Sequence, residues 1–124
     1  MTREQMEQVN LIRWTQQAEV RQRYPDLKLL YHVPNERKCT PQQGQTLKWM
    51  GVKSGVPDLC LPVPRGRWHG LYIEMKAPMS SARASENQRW WIDELLAQGY
   101  AACVCKGWEM ARDTLIRYME VTGE

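Results

Sequence analysis

The chain has 124 residues, 43% hydrophobic and 25% charged, which is the composition of a globular domain with its own core. This length predicts one domain over residues 1–124, and no apolar run approaches the ~20 residues that a membrane-spanning helix needs. The N-terminal residues lack the apolar stretch of a secretory signal, so a cytoplasmic protein is expected. The net charge of +3 excludes little by itself.

Turn residues and apolar spacing divide the chain into eight predicted elements. Apolar residues three or four positions apart predict helices, and short apolar runs between Gly and Pro predict strands. The order α-β-α-β-β-α-β-α predicts an α/β fold with a small mixed β-sheet flanked by helices. The predicted elements are a helix over residues 4–23, a strand over 27–33, a short helix over 45–50, strands over 58–61 and 71–75, a helix over 85–98, a strand over 100–105 and a helix over 108–121.

The two central strands are predicted to pair as a hairpin with charged side chains at one end. Side chains alternate along a strand, so Glu74 and Lys76 share one face while Ile73 and Met75 turn to the core. Asp58 begins the partner strand and falls level with this pair. The hairpin therefore gathers two carboxylates and an ammonium at one end of the sheet.

Such a cluster predicts a metal site. Two carboxylates at close range repel each other unless a cation lies between them, and Mg²⁺ takes a few carboxylates with water and phosphate. The lysine would orient a water or offset developing negative charge. Taken alone, Glu74 and Lys76 are more typical of a surface ion pair. Pro57-Asp58 at the head of the partner strand favours a metal site over that ion pair.

A second copy of the same pattern occurs in the chain. Pro25-Asp26 followed by residues 36–38 again gives Pro-Asp and Glu-x-Lys. Those later residues fall in a polar segment, which would not hold carboxylates rigidly enough for a metal. Asp58, Glu74 and Lys76 are therefore preferred as the site.

These motifs, in this order, resemble the VRR-NUC domain, the virus-type replication-repair nuclease branch of the PD-(D/E)xK superfamily. The resemblance spans about residues 4 to 107 and implies a restriction-endonuclease-like domain. The segments that carry it are Gly51-Val52-Lys53-Ser54-Gly55-Val56-Pro57-Asp58-Leu59, Gly70-Leu71-Tyr72-Ile73-Glu74-Met75-Lys76, Glu7-Gln8, Val33-Pro34-Asn35, Ser85 with Gln88, Trp90-Trp91 and Gly99.

The resemblance implies an endonuclease that hydrolyses phosphodiester bonds in DNA with Mg²⁺ or Mn²⁺. It implies Asp58, Glu74 and the main-chain carbonyl of Met75 as metal ligands, and Lys76 as the catalytic lysine. It further implies a homodimer that selects branched, flap or junction DNA in phage or bacterial replication, recombination or repair. No nucleotide cofactor is expected, because the chain lacks a Gly-rich phosphate-binding loop.

Two more residues carry over from the resemblance, each with an alternative. Glu7, on the apolar face of the first helix, is preferred to Glu4 as a third acid that reaches the metal; a solvated carboxylate at the helix end is the other interpretation. Gln88 either lies beside Lys76 in the site or forms a capping box with Ser85. The residue types alone do not decide either question.

Basic residues in the middle of the chain predict contacts to DNA. Residues 35–89 hold nine Lys/Arg and four Asp/Glu, although such a charge excess is also typical of a solvated surface. The hairpin insert, residues 62–69, departs from the family pattern and suits either phosphate and base contacts or an ordinary exposed turn. The predicted DNA contacts are Arg37, Lys38, Lys48, Lys53, Arg65, Arg67, Trp68, Arg83 and Arg89.

Two other functions fit parts of the sequence. A nucleic-acid-binding module without catalysis would use Glu74 and Lys76 only as an ion pair, and its DNA binding would ignore both metal and Asp58→Ala. A protein-interaction domain would use the six tryptophans as contact surface. The four cysteines lack zinc-site spacing, so neither zinc nor a disulfide is expected, and Cys39 is expected to be a free thiol in a loop.

Overall fold

The computed structural model describes residues 1–34 and 40–122, and no helix among these is both long and apolar enough to cross a membrane. The predicted contacts Arg37 and Lys38, and Cys39, lie outside the described residues. The elements are α1 Arg3–Thr15, α2 Ala18–Arg23, a 3₁₀ helix Pro25–Leu29, β1 Tyr31–His32, α3 Pro41–Trp49, β2 Leu59–Leu61, β3 Leu71–Lys76, α4 Glu86–Ala97, β4 Ala101–Lys106 and α5 Trp108–Met119.

Within the described residues, the strands form one four-stranded sheet in the order β1-β2-β3-β4. β2 pairs antiparallel with both β1 and β3, which gives the predicted hairpin, and β4 pairs parallel with β3. Parallel strands need a crossover connection, and α4 supplies it between β3 and β4. The predicted α/β fold with a small mixed sheet flanked by helices is confirmed.

The alternation along β3 sends its apolar side chains to the core. Ile73 and Met75 are buried and belong to one cluster with Leu11 of α1 and Leu115 of α5. Burial of each such side chain contributes roughly 1.5–3 kcal/mol to stability. β3 is therefore held rigidly at the centre of the fold.

Of the described cysteines, Cys60 and Cys105 are buried and Cys103 is partly buried, and all three are free thiols.

The predicted N-terminal helix is two helices, and the first part of the predicted first strand is a 3₁₀ helix. α1 ends at Thr15, whose hydroxyl donates to the Ile12 carbonyl at 2.6 Å, and Gln17 is extended before α2 begins. Such side-chain bonds to the main chain compete with helix continuation. Pro25 then starts the 3₁₀ helix, because its ring fixes φ and its missing N–H is not needed there. Only the two residues of β1 remain to pair with β2.

α3 begins four residues before the predicted start at residue 45. Thr40 accepts a hydrogen bond from the Gln43 N–H at 3.2 Å, and the Gln43 side chain accepts one from the Thr40 N–H at 2.9 Å. Pro41 occupies the first turn, where its fixed φ suits a helix. Thr-x-x-Gln with Pro after the cap is a helix-start signal. The prediction missed it because it relied on the spacing of apolar residues.

Candidate metal centre

Three carboxylates from separate elements meet at one end of the hairpin. Asp58 immediately precedes β2, Glu74 lies in β3, and Glu4 lies in the first turn of α1. One carboxylate oxygen from each of the three lies within 4.8 Å of the other two. The register pairs Leu59 with Ile73, which brings Asp58 level with the end of β3. The Met75 N–H donates to Asp58 Oδ2 at 2.8 Å and so orients that carboxylate.

Glu74 is a buried carboxylate whose two oxygens have different surroundings. It is only 2% exposed, and burial raises its pKa to about 8, with the negative charge of Asp58 adding to the effect and Lys76 opposing it. Its Oε2 accepts a hydrogen bond from Gln88 Nε2 at 3.0 Å. Its Oε1 is buried and, among the described residues, has no hydrogen-bond partner.

The arrangement of these oxygens fits a hard divalent cation. A buried acceptor without a partner costs about 1–3 kcal/mol, and repulsion between close carboxylates adds to that cost. A cation among the three carboxylates removes both costs. A ligand set made only of oxygen is typical of Mg²⁺, Ca²⁺ and Mn²⁺, whereas structural zinc prefers thiolate and imidazole.

Gln88 joins the lysine to the carboxylate while it caps α4. Its Oε1 accepts hydrogen bonds from Lys76 Nζ at 3.1 Å and from the Ser85 N–H at 2.8 Å, and its Nε2 donates to Glu74. Ser85 Oγ in turn accepts from the Gln88 N–H at 3.2 Å. Lys76 Nζ lies 3.8 Å from Glu74 Oε2. The capping box and the contact with the lysine, which were alternatives in the sequence, are both present.

Glu7 lies outside the cluster, which corrects the preference for it as the third acid. Its Oε1 accepts the Trp108 N–H at 2.8 Å, and its Oε2 accepts from Arg3 Nε at 2.8 Å. The bond from the Trp108 main chain is the main cause that lowers the Glu7 pKa. Glu7 thus caps α5, whose own N-cap residue, Gly107, has no side chain to do so. Glu4, one turn earlier, reaches the other two carboxylates instead.

The hairpin insert lies at the opposite end of the hairpin from the carboxylates. Glu74 is three to four residues along β3 from the turn, a separation of roughly 10–13 Å. Arg65 Nη2 bonds to Asp26 Oδ2 at 2.9 Å, and Trp68 packs against the core with Arg67 over its ring at 4.3 Å. The predicted DNA contacts in the insert are therefore not brought to the candidate metal centre.

Four other predicted DNA contacts are exposed on segments that adjoin the site residues. Lys48 and Lys53 lie on the stretch of chain that leads into Asp58. Arg83 lies between β3 and α4, and Arg89 follows Gln88. Trp49, which no predicted site included, is also exposed, at 78%. Its position between the basic residues Lys48 and Lys53 is the feature of the sequence that could have identified it.

Comparisons with known proteins identify a family and a similar solved structure. The family model described as "VRR-NUC domain" matches residues 2–109, which include every residue of the carboxylate cluster, Lys76 and Gln88. A solved structure named "VRR_NUC domain protein" is similar to this chain with a TM-score of 0.80 and 29% sequence identity, over 98% of this chain and 92% of that one. Among curated proteins, none matches the chain.

Proposed function

Because the chain belongs to the VRR-NUC domain family, we propose that it is a metal-dependent endonuclease that hydrolyses phosphodiester bonds in DNA. One observation carries the proposal beyond the family: the buried Oε1 of Glu74 has no partner among the described residues, and Glu74 is one of three acids whose carboxylates cluster. A protein that only binds nucleic acid has no need of such a group. A divalent cation gives it a partner, and phosphodiester hydrolysis makes use of that cation.

Glu4, Asp58 and Glu74 hold Mg²⁺ or Mn²⁺, with the main-chain carbonyl of Met75 as a further ligand. When bound, the ion supplies a Lewis acid for a phosphate oxygen and makes a nearby water more acidic. The hydrogen bond from the Met75 N–H keeps the Asp58 carboxylate turned towards the other two acids. Burial of Glu74 in β3 keeps bulk water away from one side of the site.

Lys76 acts on the reacting phosphate and water. Its side chain is 11% exposed, so its ammonium is held close to the protein surface rather than extended into solvent. It orients the attacking water or offsets the negative charge that develops on the phosphate. Gln88 positions Lys76 by accepting a hydrogen bond from Nζ, and it is itself fixed by the main chain of Ser85.

The exposed basic residues near the site contact the DNA backbone. Lys48, Lys53, Arg83 and Arg89 neutralise phosphates, which gives affinity without sequence preference. The preferred substrates are branched, flap or junction DNA met in replication, recombination or repair. A chain of 124 residues covers little DNA, and a homodimer would place two such sites on one branched substrate.

The proposal is tested by cleavage of labelled DNA. Single strand, blunt duplex, flap, splayed arm and four-way junction would each be incubated with Mg²⁺, Mn²⁺ or EDTA. We expect cleavage that requires metal and is lost in both Asp58→Ala and Lys76→Ala. If the wild-type protein binds these DNAs but cuts none of them with either metal, the nuclease assignment is wrong and a binding module takes its place.

Glu4 and Glu7, two acids of α1, provide a matched test of which one is the third metal ligand. Glu4→Gln is expected to raise the Mg²⁺ concentration needed for half-maximal cleavage by about tenfold or more, because it removes a ligand charge. Glu7→Gln should leave that concentration unchanged and lower the melting temperature, since loss of a cap costs about 0.5–2 kcal/mol. The opposite pattern would restore Glu7 as the third acid.

A further inference from the structure

The C-terminal end of α3 presents two large apolar side chains to solvent. None of the residues of α3 is buried, and the helix packs only sparsely against the other helices and strands. Trp49 is 78% exposed and Met50, the C-cap residue, is 76% exposed. Two such adjacent side chains cost free energy in water and favour contact with a ligand.

This exposure belongs to an ordered helix end. Gly51 adopts φ +98°, and its N–H donates to the Lys48 carbonyl at 3.0 Å. The Val52 N–H donates to the Leu47 carbonyl at 2.9 Å. These two bonds form the Schellman motif, which satisfies the last carbonyls of a helix and fixes its final turn. Trp49 therefore projects from a defined position on the helix.

The segment after α3 is anchored to the helix that carries Gln88. Trp91 Nε1 donates to the Ser54 carbonyl at 3.0 Å, and Asn87 Nδ2 donates to Ser54 Oγ at 3.4 Å. Gly55 lies so close to α4 that a Cβ there would be 2.8 Å from the main-chain carbon of Asn87. The path from α3 to the carboxylate cluster is thus a fixed connection.

The distance along this connection places α3 within reach of DNA bound at the cluster. Trp49 and Asp58 are nine positions apart in the chain, and a fully extended chain of that length spans at most about 30 Å. One turn of B-DNA is about 34 Å long. Trp49 therefore lies no farther from Asp58 than the length of one helical turn of DNA.

The charge around Trp49 favours a nucleic acid as its ligand. Residues 40–57 include Lys48 and Lys53 and contain neither Asp nor Glu. Cationic side chains beside an exposed indole are the combination that binds single-stranded nucleic acid, with phosphates on the cations and a base on the ring. A duplex conceals the faces of its bases, so the ring can stack only on an unpaired base.

We propose that Lys48, Trp49 and Lys53, the α3 platform, bind an unpaired base of the DNA substrate and its flanking phosphates. The inference rests on the proposed function and specifies its substrate: DNA with unpaired bases within about one helical turn of the cleaved bond. Trp49 stacks on the base, and the two lysines contact adjacent phosphates. The platform thus gives the enzyme a preference for flaps and splayed arms, which carry unpaired bases, over blunt duplex.

The test measures DNA binding without cleavage. Fluorescence anisotropy in EDTA would give the Kd of a labelled single strand, a flap and a blunt duplex for the wild type, Trp49→Ala and Trp49→Phe. We expect Trp49→Ala to weaken single-strand and flap binding by about tenfold or more, with most of the affinity retained by the aromatic Trp49→Phe. Blunt-duplex affinity should change by less than about twofold, because paired bases offer no stacking face.

Trp90→Ala is the matched control. Trp90 is 56% exposed on α4, and two residues after Gln88 its side chain lies about 200° around the helix, away from the metal centre. This variant should bind all three DNAs as the wild type does. An equal loss of duplex and single-strand affinity in Trp49→Ala would overturn the platform, and so would an unchanged affinity for every DNA.

Two further outcomes separate this inference from the proposed function. If the wild type cuts nothing with any metal yet shows the Trp49-dependent preference, the nuclease proposal fails and the platform stands. If the wild type cuts DNA but Trp49→Ala keeps its preference among substrates, only the platform fails. A change in sedimentation of Trp49→Ala without any change in DNA affinity would overturn the platform and assign Trp49 to contact with a second copy.

Discussion

The two ends of the β2–β3 hairpin both carry charged side chains, and they differ in whether those charges find partners within the protein. At the turn end, Arg65 bonds to Asp26 and donates to the Pro64 carbonyl. At the other end, Glu74 keeps one buried oxygen without a partner among the described residues and has a pKa near 8. The fold accounts for the charges at the first end by itself, whereas the second end leaves a buried acid for which we propose a bound cation.

Glu74→Gln tests this comparison most severely. The substitution keeps the shape and removes the charge, so metal-dependent cleavage should fall on the order of 1000-fold, the rate equivalent of several kcal/mol of electrostatic stabilisation. In EDTA at pH 9 the same variant should melt at a higher temperature than the wild type, because a buried charge and its repulsion by Asp58 are gone. Cleavage assays and thermal melts measure the two effects. If Glu74→Gln instead melts at a lower temperature than the wild type in EDTA, the protein itself already provides partners for the Glu74 carboxylate. The contrast between the two ends of the hairpin would then be wrong.

Gln88 tests whether the end of the hairpin that carries Asp58 and Glu74, here called the metal end, depends on its supporting hydrogen bonds. Gln88→Ala removes the contacts to Lys76 and Glu74 and should lower kcat by about 10–100-fold, the usual effect of losing a residue that orients active-site groups. Ser85→Ala removes only the capping hydroxyl and should cost about 1 kcal/mol of stability with a much smaller effect on kcat. Equal losses of kcat in the two variants would show that Gln88 acts only as a helix cap.

The raised pKa of Glu74 gives the metal-free protein a defined pH dependence. Its folded pKa of about 8 exceeds the unfolded value of 4.5, so its contribution to stability is fully present below pH 4.5 and is lost as pH rises to about 8. The slope is at most about 1.4 kcal/mol per pH unit. Urea unfolding in EDTA from pH 5 to 9 would show this loss in the wild type, and Glu74→Gln should lack it. The Mg²⁺ requirement for cleavage should fall by up to about tenfold per pH unit over the same window, because protons compete with the ion. If the free energy of unfolding depends on pH equally in the wild type and in Glu74→Gln, the assignment of the raised pKa to Glu74 is wrong.

Much of the metal end follows from local sequence pattern. Alternating side chains placed Ile73 and Met75 in the core, and the register of the hairpin brought Asp58 level with Glu74. The capping box at Ser85 is likewise a local signal. What local pattern did not reveal is that Glu74 would accept a hydrogen bond from the side chain of Gln88, because that contact depends on where α4 packs.

The structure adds most to the sequence where a partner lies far away in the chain. Glu7 was preferred to Glu4 on helix-face grounds, but the decision depends on the N-terminus of α5, which begins at Trp108. Arg65 resembled a DNA contact because its partner, Asp26, lies 39 residues earlier. Neither pairing leaves a signal in the spacing of neighbouring residues. Tertiary contacts of this kind decide whether a charge is structural or available to a ligand.

Arg65→Ala gives the smallest expected effect and sharpens the other side of the comparison. Arg65 and Asp26 are partly exposed, at 27% and 43%, so the loss of their ion pair should lower the free energy of unfolding by no more than about 1 kcal/mol. DNA affinity and cleavage should stay as in the wild type, while Lys53→Ala, which removes a charge beside the metal end, should weaken DNA binding and flatten its salt dependence. Urea unfolding and DNA titrations at several salt concentrations measure both. If Arg65→Ala weakens DNA binding as much as Lys53→Ala does, the turn end also holds DNA, and a satisfied charge cannot be taken as a purely structural one in this fold.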